Sequence, residues 1–343
     1  QLRNLKKTTS IIEAFYSTRN ETQNNLKVCI CGASGGVGQP LSMILKTNPL
    51  VTEMALYDVV NAPGIAVDLS HINTFPPVKG FCGPDNLKYA LSCSDLLVLT
   101  AGKARKSGMS RADLFKSNAD IIVPIVKLAA QICPKALIVL ITNPVNSLIP
   151  VIAEVMKKAN SYDPNRYFGV TTLDVVRSRT FIAEHIGYDP QKVKIDVVGG
   201  HSDLTILPVF STAEPRLAID AIDEEDVERL TIRIQDGGKE VIEAKAGAGS
   251  ATLSMAYSAG VFVNALLMGL KGFENAPVEC SYIPSDVVPE LEYFSTPLRF
   301  GINGVSENLG LPSLSTYEQN LLQCLIPVLK KDIELGKEFA KTL

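Results

Sequence analysis

Four short apolar runs alternate with helix-like stretches through the first half of the chain. The runs are KVCICGA from residue 27, EMALYDV from residue 53, SDLLVLTAG from residue 94 and ALIVLITNP from residue 136. Strands that are apolar on both faces and separated by helices indicate a parallel sheet covered on each side. Right-handed crossovers make this a doubly wound parallel sheet of the Rossmann type.

The pattern changes after about residue 175. The segment KVKIDVVGGHSDLTILPVFS, from residue 192, predicts two strands around a turn, and a long charged helix follows from about residue 223. An apolar helix with many small residues and a final amphipathic helix complete the chain. We therefore predict an α/β domain over residues 27–172 and an α+β domain over residues 173–343.

Composition excludes several classes of protein. The 343 residues carry a net charge of −3 and no long basic run, so nucleic acid is not expected as a partner. The most apolar window, residues 136–156, is interrupted by Asn143, Pro144, Asn146 and Pro150. A membrane span needs about 20 mostly apolar residues, so this window predicts a buried strand, a turn and a helix instead.

Seven scattered cysteines, an odd number, favour free thiols in a reducing compartment over disulfides. Cys29 and Cys31 are predicted to point to opposite faces of the first strand. With three histidines in the chain, a zinc site is not expected, and no metal is assigned.

Residues 1–26 differ from the rest of the chain. They are basic, rich in serine and threonine, and place Leu2, Leu5 and Ile12 near one helical face. This pattern is typical of a mitochondrial transit peptide or its remnant, and a disordered tail is the alternative.

The first strand runs directly into a glycine-rich turn. Gly32, Gly35 and Gly38 give G-x-x-G-x-x-G, with Gly36 inside it, a variant of the dinucleotide fingerprint. Such glycines let the backbone approach a pyrophosphate at a helix N-terminus. Asp58 ends the second strand 20 residues after Gly38, where the fingerprint places a carboxylate for the adenosine ribose. A carboxylate there repels a 2′-phosphate, so the pattern favours NAD over NADP.

Three further clusters carry chemistry. A loop after the third strand holds Arg105 and Arg111, TTLDVVR places Asp174 and Arg177 on one helical face, and VVGGHSD sets His201 in a turn. Taken singly, each has an ordinary explanation: solvated arginines, a helix-surface ion pair and a core histidine. Together with a dinucleotide fold they indicate one substrate site.

These motifs carry a resemblance to a known family. From about residue 27 to the C-terminus the chain resembles the NAD-dependent malate dehydrogenases of the mitochondrial and bacterial type. The matching segments are GASGGVGQPLS, LYDVVNAPGIAVDLSHI, ITNPVNS, FGVTTLDVVRSR, AKAGAGSATLSMAY, ECSY and YFSTPLRFG. The resemblance implies reversible oxidation of malate to oxaloacetate with NAD in the mitochondrial matrix. It also implies a homodimer that uses residues 61–72.

The resemblance assigns a role to each residue of the site. His201 acts as the general base and Asp174 orients its imidazole. Arg177 holds the C1 carboxylate of the substrate, Arg105 holds the distal carboxylate, and Arg111 arrives by loop closure. The implied contacts to NAD are Gly32, Gly35, Gly36, Gly38, Asp58, Asn118, Ile141, Asn143 and Met255, and Asn143 also bonds the substrate.

Two departures from the family pattern leave alternatives open. The loop reads AGKARKSGMSR where members commonly read AGVPRKPGMTR, so Ala104 and Ser107 replace prolines. A freer loop predicts a modestly raised KM or lowered kcat. Asp203, where the family usually has glycine followed by valine, would if buried favour a protonated imidazole and repel a dicarboxylate. The related lactate dehydrogenases carry an aspartate at this offset and are active, so this departure bears on tuning more than on activity. The alternatives are a catalytically weak paralogue that binds cofactor or dimerises, and a dehydrogenase for another 2-hydroxy acid such as lactate. Arg105 argues against the second.

Overall fold

The computed structural model describes residues 25–103 and 111–343, and for Arg111 it describes the backbone alone. Most of the predicted leader (residues 1–24) and most of the arginine loop (residues 104–110) therefore lie outside the described residues.

The described elements follow the predicted alternation in the first half of the chain. The strands are β1 Lys27–Cys31, β2 Glu53–Asp58, β3 Val78–Cys82, β4 Leu96–Leu99, β5 Leu137–Leu140, β6 Tyr167–Val170, β7 Lys194–Gly199, β8 Ile206–Glu214, β9 Glu279–Pro284, β10 Tyr293–Gly301 and β11 Gly304–Asn308. The helices are α1 Gly38–Lys46, α2 Ala62–Ser70, α3 Leu87–Leu91, α4 Arg111–Ile132, α5 Val145–Lys158, α6 Thr172–Ile186, α7 Arg216–Ile219, α8 Glu224–Ala244, α9 Leu253–Leu270 and α10 Thr316–Lys341.

Six parallel strands form the first part of the sheet, in the order β3-β2-β1-β4-β5-β6. In the centre, Cys29 of β1 pairs with Ala55 of β2 and Leu97 of β4. Every residue of β1 is buried because helices cover both faces of the sheet. This order confirms the predicted doubly wound sheet.

The sheet does not stop at β6. β6 pairs antiparallel with β9, and the order continues β9-β10-β7-β8 through antiparallel pairs, with β11 on the side of β10. The second half is therefore a mixture of helices and antiparallel strands that extends the parallel sheet. The predicted domain boundary near residue 172 stays a prediction, since a single hydrogen-bonded sheet continues across it.

One prediction about the first strand was wrong. Cys29 and Cys31 lie in the same core cluster, on one face of β1, because residues two apart in a strand share a face. Interaction with the neighbouring Cys29 thiol, together with burial, raises the pKa of Cys31 well above its usual range. All seven cysteines are free.

Two apolar segments fold inside the protein. Residues 136–156 form β5, a turn and most of α5, as predicted. Within the described part of the chain, α9 alone is long and apolar enough to cross a membrane by length and composition, and 61% of its 18 residues are buried. It packs in the core cluster on one side of the sheet, together with residues of α1 and α2.

Candidate active site

A cavity of about 420 Å³ opens at the C-terminal ends of β1, β4 and β5. One wall is the glycine turn after β1 and the loops after β4 and β5, and the facing wall comes from the second half of the chain. The carboxyl ends of parallel strands are where ligands bind in open α/β sheets. Its lining includes Gly35, Gly36, Asn118, Ile141, Asn143, Asp174, Arg177, His201, Asp203, Met255 and Asp332.

The glycine turn leaves no room for side chains where it enters the sheet. Gly32 has φ of +96°, and a Cβ there would overlap the backbone nitrogen of Ala101. A Cβ on Gly38 would overlap the carbonyl oxygen of Gly32, and one on Gly36 would lie 2.9 Å from Cγ2 of Thr252. The turn is thus a narrow backbone cradle at the N-terminus of α1. That shape, with the positive end of the helix dipole, fits a pyrophosphate.

The carboxylate of Asp58 lies beside this cradle. Its Oδ2 accepts a hydrogen bond from the backbone N–H of Ser34 (2.8 Å), and its Oδ1 accepts one from Val59 (2.7 Å). Asp58 therefore ties the glycine turn to the end of β2 and places its carboxylate at the edge of the cradle. Its contact with a ribose stays a prediction.

His201 and Asp174 form the central pair of the site. Asp174 is in the first turn of α6, and His201 follows the end of β7. Nδ1 of His201 lies 2.6 Å from Oδ2 of Asp174. The Asp174 carboxylate is fully buried, and its Oδ1 has no hydrogen-bond partner within the described residues. A buried carboxylate beside an imidazole is suited to orient that ring.

Arg177 shares that charge from one helical turn away. Its Nη1 lies 3.8 Å from Oδ1 of Asp174. Burial lowers the pKa of Arg177, and the charges of Asp174 and Glu240 partly oppose that effect. The side chain passes close to α8, where a Cβ on Gly237 would lie 2.9 Å from its Cδ. A buried guanidinium that lacks a short ion pair is suited to an anionic ligand.

Asn118 joins the two loops that form the cofactor-side wall. Its Oδ1 accepts from the backbone N–H of Lys103 (2.7 Å), and its Nδ2 donates to the carbonyl oxygen of Asn143 (2.6 Å). Ile141 and Met255 are buried and also line the cavity. Asn118, Ile141, Asn143 and Met255, which are predicted to contact NAD, thus all line the cavity. Their contact with NAD stays a prediction.

The other predicted residues fall in three places. Arg105 lies outside the described residues, as does the side chain of Arg111. Asp203 lines the cavity, in a left-handed backbone conformation with φ of +37°. His71, exposed just after α2, and His185, 3.3 Å from Asp226 near the end of α6, do not line it. His201 is the histidine of this chain that lines the cavity.

Motif reasoning missed the polar residues behind His201. Asn146 of α5 and Asp332 of α10 bond to each other and to the turn that carries His201. Asn146 stands in the quoted segment ITNPVNS, whereas no local pattern marks Asp332. No group of three or more histidine, cysteine, aspartate or glutamate side chains within residues 25–103 and 112–343 could hold a metal ion.

The chain matches two family descriptions over almost its whole described length. The lactate/malate dehydrogenase NAD binding domain matches residues 26–169. The lactate/malate dehydrogenase alpha/beta C-terminal domain matches residues 171–340.

Individual relatives agree with these matches. The mitochondrial malate dehydrogenase of Caenorhabditis elegans is 51% identical over 315 residues, which cover 92% of this chain and 91% of the relative. The mitochondrial malate dehydrogenase of Homo sapiens is 49% identical over 327 residues, 95% of each chain. Among solved structures, the apo malate dehydrogenase of Picrophilus torridus superposes with a TM-score of 0.79 at 27% identity, covering 93% of this chain and 100% of that one.

Proposed function

The chain belongs to the lactate/malate dehydrogenase family, and from that premise we propose that it catalyses the reversible NAD-dependent oxidation of malate to oxaloacetate. The observation that carries the proposal is the pairing of His201 with the buried Asp174 on a cavity that the glycine cradle also lines. A base, its orienting carboxylate and a dinucleotide cradle on one cavity are the parts that hydride transfer from an alcohol needs.

His201 takes the proton of the malate hydroxyl. Because Nδ1 faces the Asp174 carboxylate, Nδ1 carries the hydrogen of the neutral imidazole, and the lone pair of Nε2 is free to accept a proton. Asp174 then stabilises the resulting imidazolium. NAD, when bound, supplies the acceptor for the hydride that leaves C2. In the reverse direction the imidazolium returns the proton to the carbonyl oxygen of oxaloacetate.

Arg177 holds the substrate so that C2 faces the cofactor side of the cavity. Its planar guanidinium can bond both oxygens of the C1 carboxylate, which fixes the direction of the molecule. Burial strengthens this pairing because the Arg177 side chain is only 12% exposed and little water competes for it.

The preference for a dicarboxylate rests on sequence and on the relatives. Arg105, in the segment that resembles the family's loop, is the expected partner of the distal carboxylate. The relatives from Caenorhabditis elegans and Homo sapiens are both named malate dehydrogenase. A lactate preference is therefore not favoured. The weak-paralogue alternative is not favoured either, because His201, Asp174 and Arg177 lie together on the cavity.

The assembly and the location are part of the same proposal. Met43, Val67, Leu253 and Tyr257 are each more than half exposed and lie on α1, α2 and α9, which pack side by side. Exposed apolar side chains on adjoining helices favour a subunit interface, so we assign a homodimer. The names of the relatives support a mitochondrial location. The basic, hydroxyl-rich leader supports the matrix.

The test is oxidation of NADH by the purified protein with oxaloacetate, and with pyruvate in parallel. We expect fast turnover with oxaloacetate, turnover slower by a factor of at least about 100 with pyruvate, and loss of activity in His201→Ala. Binding of NADH without turnover of either substrate would favour the weak paralogue. Preferential turnover of pyruvate would favour the lactate branch.

A further inference from the structure

The amide of Asn146 is at the centre of the turn that carries His201. Its Oδ1 accepts a hydrogen bond from the backbone N–H of His201 at 2.8 Å. Its Nδ2 lies 3.0 Å from Oγ of Ser202, 3.3 Å from Oγ1 of Thr205 and 2.9 Å from Oδ2 of Asp332. Asn146 is 1% exposed. A buried amide with this many partners fixes the backbone of the proposed base from behind.

Asp332 fixes which way round that amide lies. A backbone N–H can only donate and a carboxylate can only accept, so the two partners at opposite ends of the amide admit one orientation. Rotation by 180° would place the NH₂ group against the N–H of His201 and the carbonyl oxygen against the carboxylate of Asp332. Oδ2 of Asp332 also accepts from Oγ of Ser202 at 3.3 Å. The C-terminal helix α10 thereby reaches the residue that follows the base.

Two glycines make this approach possible. A Cβ on Gly200 would lie 2.8 Å from Oδ1 and 2.9 Å from Nδ2 of Asn146, so the turn comes close to the amide only without a side chain there. A Cβ on Gly336 would overlap the carbonyl oxygen of Ser147. Gly336 therefore lets α10 pack against the backbone of α5, and Asp332, one helical turn earlier, faces Asn146.

We propose that Asn146 and Asp332 are positioning residues for the reaction. Asn146 holds the backbone of His201 so that the imidazole meets both Asp174 and the substrate hydroxyl, and Asp332 holds Asn146 in the orientation that does this. The inference rests on the proposed function. It adds the C-terminal helix to the parts of the chain on which the rate of proton transfer depends.

The first variant to measure is Asn146→Ala. It removes the acceptor for the backbone N–H of His201, and Asn146 itself does not line the cavity. We expect kcat for oxaloacetate reduction to fall by about 30- to 100-fold, the cost of a misplaced catalytic group. The KM for oxaloacetate and the Kd for NADH should change by less than about threefold, because neither ligand's binding groups have moved. The deuterium isotope effect on kcat, with NADH deuterated at C4 of the nicotinamide, should rise.

The role of the Asp332 carboxylate is tested with a conservative variant and a matched control. Asp332→Ala should lower kcat by about 10-fold, whereas Asp332→Asn, whose side-chain oxygen can still accept from Asn146, should remain within about threefold of the unaltered protein. Glu334→Ala, an exposed position on the same helix, is the control for changes in α10 and should leave kcat unchanged. The double variant of Asn146 and Asp332 should be no slower than Asn146→Ala alone.

A second readout does not depend on activity. The chain has three histidines, so ¹⁵N-histidine labelling gives few imidazole resonances. Asn146→Ala should shift the resonances of His201 and leave those of His71 and His185 in place. An unchanged His201 signal, a kcat within threefold of the original, or a fall in kcat matched by an equal loss of NADH binding would each overturn the inference. An unaltered protein that does not reduce oxaloacetate would refute the proposed function instead, and the resonance test would still stand.

Discussion

Asp174 and His201 reach each other from two different elements, the first turn of α6 and the turn after β7, with Oδ2 and Nδ1 2.6 Å apart. The second oxygen of the same carboxylate is buried without a hydrogen-bond partner among the described residues. The pair therefore places a carboxylate charge next to the imidazole, and Nη1 of Arg177 lies 3.8 Å from its second oxygen.

Replacement of that charge by an amide of the same shape should slow the reaction strongly. In Asp174→Asn the new side chain can donate to Nδ1, which would stabilise the tautomer with the hydrogen on Nε2. We expect kcat to fall by about 10²- to 10⁴-fold in both directions, with NADH binding unchanged. Steady-state rates of oxaloacetate reduction and malate oxidation measure this. A loss smaller than about fivefold would contradict the role given to the carboxylate.

Two adjacent glycines of α8 allow a matched test of Arg177. A Cβ on Gly237 would lie 2.9 Å from Cδ of Arg177, whereas a Cβ on Gly238 would have no neighbour within 4 Å. Both changes to alanine raise helix propensity equally. We expect Gly237→Ala to raise the KM for oxaloacetate by about three- to tenfold, and Gly238→Ala, whose Cβ would lie on the cavity wall without contacting Arg177, to raise it less. Equal KM values in the two variants would argue that Arg177 does not hold the substrate.

The choice of cofactor should depend on the charge of Asp58. Asp58→Asn keeps an acceptor for the N–H of Ser34 but removes the negative charge that would repel a 2′-phosphate. We expect the ratio of kcat/KM for NADH to that for NADPH to fall by at least about tenfold. The measurement is oxaloacetate reduction with each cofactor in turn. An unchanged ratio would place the discrimination elsewhere.

A buried carboxyl predicts how stability depends on pH. Burial raises the pKa of Glu279 to about 7 from an ordinary value of 4.5, against the opposing charge of Arg179. The folded state then holds the proton more tightly than the unfolded state. The free energy of unfolding should therefore fall as the pH rises from about 4.5 to 7, by on the order of 3 kcal/mol from this group.

Glu279→Gln should remove that dependence. The variant should be more stable than the original at pH 8, and its advantage should shrink at pH 5, where the original carboxyl is protonated in the fold. Urea unfolding at the two pH values gives the comparison, and the difference between variants cancels the contribution of other groups. An advantage at pH 5 as large as at pH 8 would show that the carboxyl does not titrate in this range.

The parallel half of the fold could be predicted from β1, β2, β4 and β5, which are apolar and continuous, whereas β3 and β6 were not predicted. The strands β9 and β10 were not predicted, since buried Ser281, Ser295 and Thr296 interrupt their hydrophobicity. Those hydroxyls find partners only in the folded chain: Oγ of Ser281 donates to the carbonyl oxygen of Gly169, and Oγ of Ser295 lies 3.0 Å from Oγ1 of Thr171. Hydropathy cannot recognise a polar residue that is satisfied by a distant segment.

The residues of the site likewise fall into those that the sequence predicted and those that it did not. Asp174 and Arg177 are close in sequence, and each lies in a recognisable motif, as does His201. Asn146 and Asp332 are 186 residues apart, and their contact exists only because α5 and α10 pack together. Residues proposed to bind substrate thus lie in a local sequence pattern, whereas the residues packed behind them can be found only from the tertiary structure.

β6 hydrogen-bonds to both β5 and β9, and this limits how the two halves of the chain can be recombined with those of relatives. The chain matches two family descriptions that meet near residue 170, as if it were a fusion of two exchangeable modules. Yet a cut there would leave β6 and β9 each with an open edge, ready to pair with any other chain. The two halves can therefore be recognised separately but not exchanged separately. A chimera of two relatives needs β6 from one to form a matching pair with β9 from the other.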